Sequence, residues 1–267
     1  MLADHIKAGH LSPALETLQN QIRANAGDPQ LRLSLCQLLC VMGQWERAAK
    51  QLEVLTSLSD EFKSWTNMMR PALHAEAIRR EVFAGQTSPL VLGEPPTWLA
   101  PLIQALKETD PEQQVALRSA AFEAAPAIPA TINGHDAPWI ADADSRLGPV
   151  LEAAMDGKYY WIPFERIRRL VIAPPTDLRH LVWLPVEATW VTGGESTILV
   201  PTRYVDSENA TDDRLRLARL TTWEEIGDGQ YRGLGQRIFG ASELDCPLLE
   251  ARTIEMKSAI WPPVYDS

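Results

Sequence analysis

Gly9 and Gly43 stand 34 positions apart, and the residues that follow each run in register. Leu11 matches Trp45, Ala14 matches Ala48, Leu15 matches Ala49 and Leu18 matches Leu52. Both copies therefore read Gly-x-large apolar-x-x-Ala, then x-x-x-Leu. A repeat of this length is a strong constraint, because each copy must be one supersecondary unit that buries its apolar face against a neighbour. Glycine ends the first helix of a pair and allows the tight turn. Alanine lets two antiparallel helices approach closely.

Thirty-four residues is the length of a tetratricopeptide-like helix pair. Asp28 and Pro29 read as the cap and first turn of the next helix, and Leu31, Leu35, Leu38 and Leu39 follow at helical spacing. Further helices are expected from Phe62 to Phe83, Pro96 to Lys107 and Pro111 to Ala124, with Glu76, Arg79, Arg80 and Glu81 on a solvated face. Two repeats are fewer than a solenoid usually needs, so the helices after Asp60 are expected to cap the stack. Such stacks commonly hold a peptide or helix in a concave groove. Cys36 and Cys40 share one helix face and read as small side chains in a seam.

The pattern changes from about Asn133. The fold class expected is α+β: a helical stack over residues 1–128, then a smaller mixed, mostly antiparallel domain over 129–267 with an uncharged core. Tyr159–Ile162, Arg168–Ile172, a strand from Leu181 to Val191 and Thr197–Val200 read as strands. Pro185 suggests an edge position or a bulge, and Gly193-Gly194 a hairpin. Trp183 and Trp190 are expected to pack in the sheet. Asp212–Leu220 reads as a helix, Gly235–Phe239 and Leu248–Ile254 as strands, and Gly229, Gly233 and Gly235 as part of a flexible surface loop.

Charge excludes some functions. Residues 1–88 carry nine basic and nine acidic side chains; the remainder carries 16 basic and 26 acidic ones, which accounts for the net −10. Nucleic acid and anionic membrane surfaces both demand the opposite balance. No apolar run is long enough to span a bilayer, and the first residues lack the pattern of a signal peptide. Three cysteines without a framework suit a reducing cytoplasm. The five histidines are scattered, with no metal-ligand spacing. No nucleophile elbow, phosphate loop or dinucleotide fingerprint is present, so no cofactor or metal is implied.

The densest block is Trp139-Ile140-Ala141-Asp142-Ala143-Asp144-Ser145-Arg146-Leu147-Gly148-Pro149. Asp142 and Asp144 could bind a divalent cation, but a hand-type calcium loop starting at Asp142 needs Gly and Glu where Leu147 and Ala153 stand. They could serve acid–base chemistry, although no substrate-pocket motif accompanies them. The reading favoured here is structural: the carboxylates cap a helix starting near Pro149, and Arg146 pairs with an aspartate.

This block, together with Leu35-Cys36-Gln37-Leu38-Leu39-Cys40, Gly43-Gln44-Trp45-Glu46-Arg47-Ala48, Val82-Phe83-Ala84-Gly85, Gly93-Glu94-Pro95-Pro96-Thr97-Trp98-Leu99, Pro174-Pro175-Thr176-Asp177-Leu178-Arg179, Val200-Pro201-Thr202-Arg203-Tyr204 and Gly235-Gln236-Arg237, resembles the ImpE/TagJ (SciE-like) family over nearly the whole chain. His180 departs from the family pattern where an acidic residue is expected, and Ala137-Pro138 departs from it before Trp139, where a larger apolar residue is expected.

The resemblance implies a cytoplasmic, non-catalytic accessory protein of bacterial type VI secretion. It implies an adaptor that binds the N-terminal helix of the small sheath subunit, TssB-like, with a link to sheath turnover by the ClpV ATPase. The residues expected to line the partner groove are Leu38, Val41, Trp45 and Trp98; Asp142, Asp144, Arg146, Asp177 and Arg179 are expected to be structural. Two other readings compete: a metal-dependent hydrolase using Asp142, Asp144 and Asp177, and a generic helical-repeat interaction module.

Overall fold

The computed structural model describes residues 2–58, 60–242 and 244–257. Its first half is helical: α1 (Leu2–Ala8), α2 (Leu11–Ala24), α3 (Pro29–Val41), α4 (Trp45–Leu58), α5 (Lys63–Phe83), α6 (Leu99–Lys107) and α7 (Pro111–Ala124). Gly9 and Gly43 turn the α1–α2 and α3–α4 pairs with φ of 77° and 68°. The Asp28 carboxylate accepts hydrogen bonds from the amides of Gln30 and Leu31, and Pro29 occupies the first turn of α3. Leu11, Ala14, Leu18, Leu35, Leu38, Leu39, Ala48 and Leu52 are buried together, as the repeat requires.

The strands are β1 (Leu90–Val91), β2 (Ala130–Ile132), β3 (His135–Ala137), β4 (Ala141–Asp142), β5 (Val150–Met155), β6 (Lys158–Pro163), β7 (Ile167–Ile172), β8 (Trp183–Trp190) and β9 (Glu195–Pro201). After the short α8 (Asp213–Arg216) come β10 (Thr221–Gly227), β11 (Gln230–Gly235), β12 (Ile238–Ala241), β13 (Leu244–Pro247) and β14 (Thr253–Met256). Nine strands form one sheet in the order β1-β6-β5-β9-β8-β7-β14-β2-β3; β13-β12-β4 form a second, and β10-β11 a separate ribbon. Among the described residues, only the β1–β6 pairing is parallel.

Turn chemistry sets much of this topology. Asn133-Gly134, Asp156-Gly157 and Asp228-Gly229 close the β2–β3, β5–β6 and β10–β11 hairpins, and all six residues have positive φ. That is the two-residue turn whose twist matches paired strands. Gly193-Gly194 close β8–β9. Pro185 pairs with Leu199, one residue beyond the last β7 pair at Ile172–Val186, so its missing N–H falls where β8 has run past that neighbour.

The large sheet carries packed side chains on both faces. Leu151, Ala153, Ile162, Leu184, Val186 and Ile198 pack on one side with Phe239, Ala241 and Cys246 of the small sheet. Val150, Ala154, Tyr159 and Trp161 point the other way, against Ala75 and Val82 of α5 and Leu99 and Leu102 of α6. Trp183 joins the α2–α4 cluster and packs at a tilt against Trp45, with ring centroids 5.7 Å apart. Trp190 belongs to the other face.

Several expectations are corrected. No helix starts at Pro149; the residues after it form β5, buried on both faces, with its backbone groups paired to β6 and β9. Helix α8 spans only four residues, α6 begins at Leu99, and the Gly229–Gly235 segment is the ordered ribbon strand β11. The later strands are shifted to Ile238–Ala241 and Thr253–Met256. Glu76 and Arg79 do not face solvent: they are 4% and 3% exposed. The core is consequently not free of charge.

Candidate functional site

The buried charges lie between α5 and the large sheet. Arg79 forks onto Glu152 of β5, donates from Nη1 to Glu76 at 3.1 Å and from Nη2 to the Arg203 carbonyl at 3.0 Å. The second oxygen of Glu76 accepts from the Trp183 indole at 2.9 Å. Arg237 bridges Asp142 and Glu152, and its Nε donates to the Pro201 carbonyl at 2.8 Å. Tyr159 donates its hydroxyl proton to Glu152 and accepts from Trp161 Nε1. Arg203 donates to the carbonyls of Cys40 and Val41, which close α3, a site where a cation also meets the negative end of the helix dipole.

Unpaired, such buried ions would each cost several kcal/mol; fully hydrogen-bonded, they are tolerated and fix one arrangement of the elements that carry them. The environments differ. Burial raises the pKa of Glu152, but Arg79 and Arg237 outweigh it and hold the carboxyl down at about 2. Asp142 has only Arg237, which it shares, and burial together with the Asp144 and Glu152 charges pushes it up to about 7. Burial likewise raises Glu208, beside Glu76.

The Trp139–Pro149 block is tied into this network as a folded loop. The Asp142 carboxylate accepts from the Asp144 amide at 2.9 Å, and Asp144 accepts from the Arg146 amide at 2.9 Å and the Arg146 guanidinium at 2.6 Å. Asp144 also accepts from the Gly233 amide at 3.0 Å, and Ser145 exchanges hydrogen bonds with Tyr231, which seats the β10–β11 ribbon on the block. Arg146 lies over the Phe83 ring, 4.9 Å from its centre. The carboxylates therefore cap turns of their own loop, in place of the helix expected after Pro149.

Asp177 caps the short turn Leu178–Leu181, accepting from the Arg179 amide and from Arg179 Nε, both at 3.0 Å. Its further neighbour is His180, and neither Asp142 nor Asp144 shares these partners. Among the described residues, no group of three or more His, Cys, Asp or Glu side chains is arranged to hold a metal ion.

Above the block lies a hollow of about 420 Å³, walled by Phe122, Pro126, Ala127, Trp139, Ile140 and Pro149. Trp139 is 38% exposed, a large apolar side chain left facing water. The expected groove residues lie elsewhere. Leu38 and Val41 are fully buried in the α2–α4 cluster, Trp98 is 5% exposed in the α5–α6 cluster, and only Trp45 keeps partial access. Helical spacing marks an apolar face without saying whether the chain itself covers it. Trp139 and Phe122 lie in separate segments of the chain, so the sequence does not show the hollow; the tryptophan just before the paired aspartates is the available signal.

Among the described residues no helix is long and apolar enough to cross a membrane. The model of the ImpE protein family matches residues 134–255. The type VI secretion system accessory component TagJ of Pseudomonas aeruginosa is 42% identical over 261 residues, covering 96% of this chain and 92% of that protein. The crystal structure of protein VPA1032 from Vibrio parahaemolyticus superposes with a TM-score of 0.88 at 28% identity, covering 97% of this chain and 98% of that one. With the same fold along its length and this identity to TagJ, the chain belongs to the ImpE/TagJ family.

Proposed function

We propose that the protein is a cytoplasmic, non-catalytic accessory component of a type VI secretion system, an adaptor that binds the N-terminal helix of the small sheath subunit and links it to sheath turnover by the ClpV ATPase. The observation that carries this reading is the 42% identity to TagJ along 96% of the chain. The site chemistry supports it. Asp142 and Asp144 are buried side chains engaged by Arg237 and Arg146, and Asp177 is engaged elsewhere, so the acids of the hydrolase reading are spent on structure. What remains accessible is shaped apolar surface, which suits recognition of a helix.

The test is calorimetric titration of the purified protein with the cognate small sheath subunit, intact and lacking its first helix. Saturable binding that disappears with the helix is expected. Equal binding of both forms, or none of either, rejects the adaptor reading.

A further inference from the structure

Trp139 and Phe122 wall an apolar hollow beside the link between α7 and β2. The Trp139 ring rests on Gly240 of β12, where an added Cβ would lie 3.5 Å from it, and the Phe122 ring sits against Gly148. Both aromatic walls are thus backed by glycine backbone, and Trp139 still leaves 38% of its surface to water. Pro126, Ala127 and Pro149 add further apolar walls. The volume of about 420 Å³ falls inside the roughly 300–1,000 Å³ of pockets that enclose an organic ligand. An apolar recess of this kind on a surface marks a place where something packs.

Strand β14 points a candidate at it. Glu255 lies opposite Thr131 and Met256 opposite Ala130, and the Lys257 amide donates to the Pro129 carbonyl at 2.6 Å. Lys257 is fastened a second time, through Nζ to Asp136 at 2.6 Å. In that antiparallel register each further residue steps one position back along the α7–β2 link. Positions 259, 260 and 261 come level with Ala127, Pro126 and Ala125, which all line the hollow. From the other flank of the link, Ile140 donates to the Ile128 carbonyl at 3.0 Å, so Trp139 stands two strand spacings from the line of β14, roughly 10 Å. Trp261 is four residues past Lys257, a reach of roughly 13 Å.

Residues 258–267 lie outside the described part and read Ser-Ala-Ile-Trp-Pro-Pro-Val-Tyr-Asp-Ser. Pro262 and Pro263 fix φ, remove two donors and disfavour a helix at Trp261. A proline pair in extended form suits an aromatic-lined groove, because it loses little freedom on docking. The short tether adds a local concentration in the millimolar range, so a weak contact suffices.

We propose that the protein covers this hollow with its own residues 260–265. Trp261 enters beside Phe122 and Pro126, and Pro262-Pro263 lie on the open side of the Trp139 ring. The contact ties the end of β14 to the α7–β2 link and withholds this apolar surface from other chains, whichever partner the protein binds.

The test is limited proteolysis of the full chain with thermolysin, which cuts ahead of Ile260 and Val264, with the released fragments followed by mass spectrometry. Wild type is compared with Trp139→Ser, Ala127→Glu and Trp261→Ser, and with Trp223→Ser, an exposed tryptophan on β10 that does not line the hollow. Ala127 is exposed, so Ala127→Glu changes the hollow without entering the core, and unchanged thermal midpoints verify the folds. Expected are cuts at least about tenfold faster in the first three variants, since cleavage follows the fraction of time the segment is released. Trp223→Ser and dilution of the wild type should change nothing. Equal rates in wild type, Trp139→Ser and Ala127→Glu overturn the contact. Protection that fades on dilution overturns it as well, by placing the segment in the hollow of a second copy.

Discussion

Arg79 on α5 grips Glu152 on β5 with two parallel hydrogen bonds of 2.7 and 2.8 Å, across 73 residues of sequence. This fork joins the helical layer to the sheet at a point where neither side chain reaches water. Each of the two charges is tolerated because it is paired, Arg79 also with Glu76 and Glu152 also with Arg237.

Replacing Glu152 by Gln keeps the shape and removes the charge that compensates Arg79 and Arg237. A loss of about 3–5 kcal/mol is expected, the range for breaking one side of a buried pair, read from urea unfolding at pH 7. The loss depends on pH in a defined direction. The folded carboxyl is held at about 2 against an ordinary 4.5, so its contribution is complete above the ordinary value and fades as pH falls toward 2. Wild type and variant should converge in acid; a constant difference down to that pH would contradict the assignment.

Asp142 has the opposite sign. Its folded pKa of about 7 lies above the ordinary 3.8, so the native state binds the proton more tightly than the unfolded chain. This group therefore lowers stability as pH rises from about 4 to about 7, and its effect is constant above that. Asp142→Asn should flatten the stability profile between pH 5 and 7.5 relative to wild type. A slope identical in both proteins would place the titration on another group.

Gly43→Ala tests the turn of the second repeat. The residue sits at φ 68°, and a methyl group there would lie 2.5 Å from Cγ of the buried Glu208. Destabilisation on the order of 1–3 kcal/mol is expected from the backbone conformation alone, with the steric conflict added. Gly9→Ala shares the left-handed φ but meets nothing within 4 Å, so it should cost less. Equal thermal midpoints for the two variants would show that Glu208 yields freely.

Arg203→Met removes the cation that donates to the last α3 carbonyls while keeping an apolar stem. Hydrogen exchange should accelerate at the C-terminal turn of α3 and in the adjoining Gly43 turn before it does in the central strands β5 and β9, since local opening follows the lost contacts. Uniform acceleration across the chain would mean that the residue supports the fold globally.

Local chemistry in the sequence determined the helix pairs, the capped start of α3, the Gly193-Gly194 hairpin and the position of Pro185 past its β7 neighbour. Each rests on a rule that reaches only a few residues: the helical period, a carboxylate accepting from the next amides, a glycine at positive φ, a proline with no donor. The three Asn-Gly and Asp-Gly turns obey the same rules and were equally readable. Only the tertiary structure decided that Glu76 and Arg79 are interior, because a charged pair on a helix looks solvated until a carboxylate 73 residues away closes over it. The same holds for the segment after Pro149, whose short apolar run fits helix or strand until both faces of β5 are covered. It holds too for Leu38, Val41 and Trp98, whose apolar faces could have served a partner had the protein not buried them itself. Burial and ion pairing are properties of surfaces brought together, and spacing along a chain does not contain them.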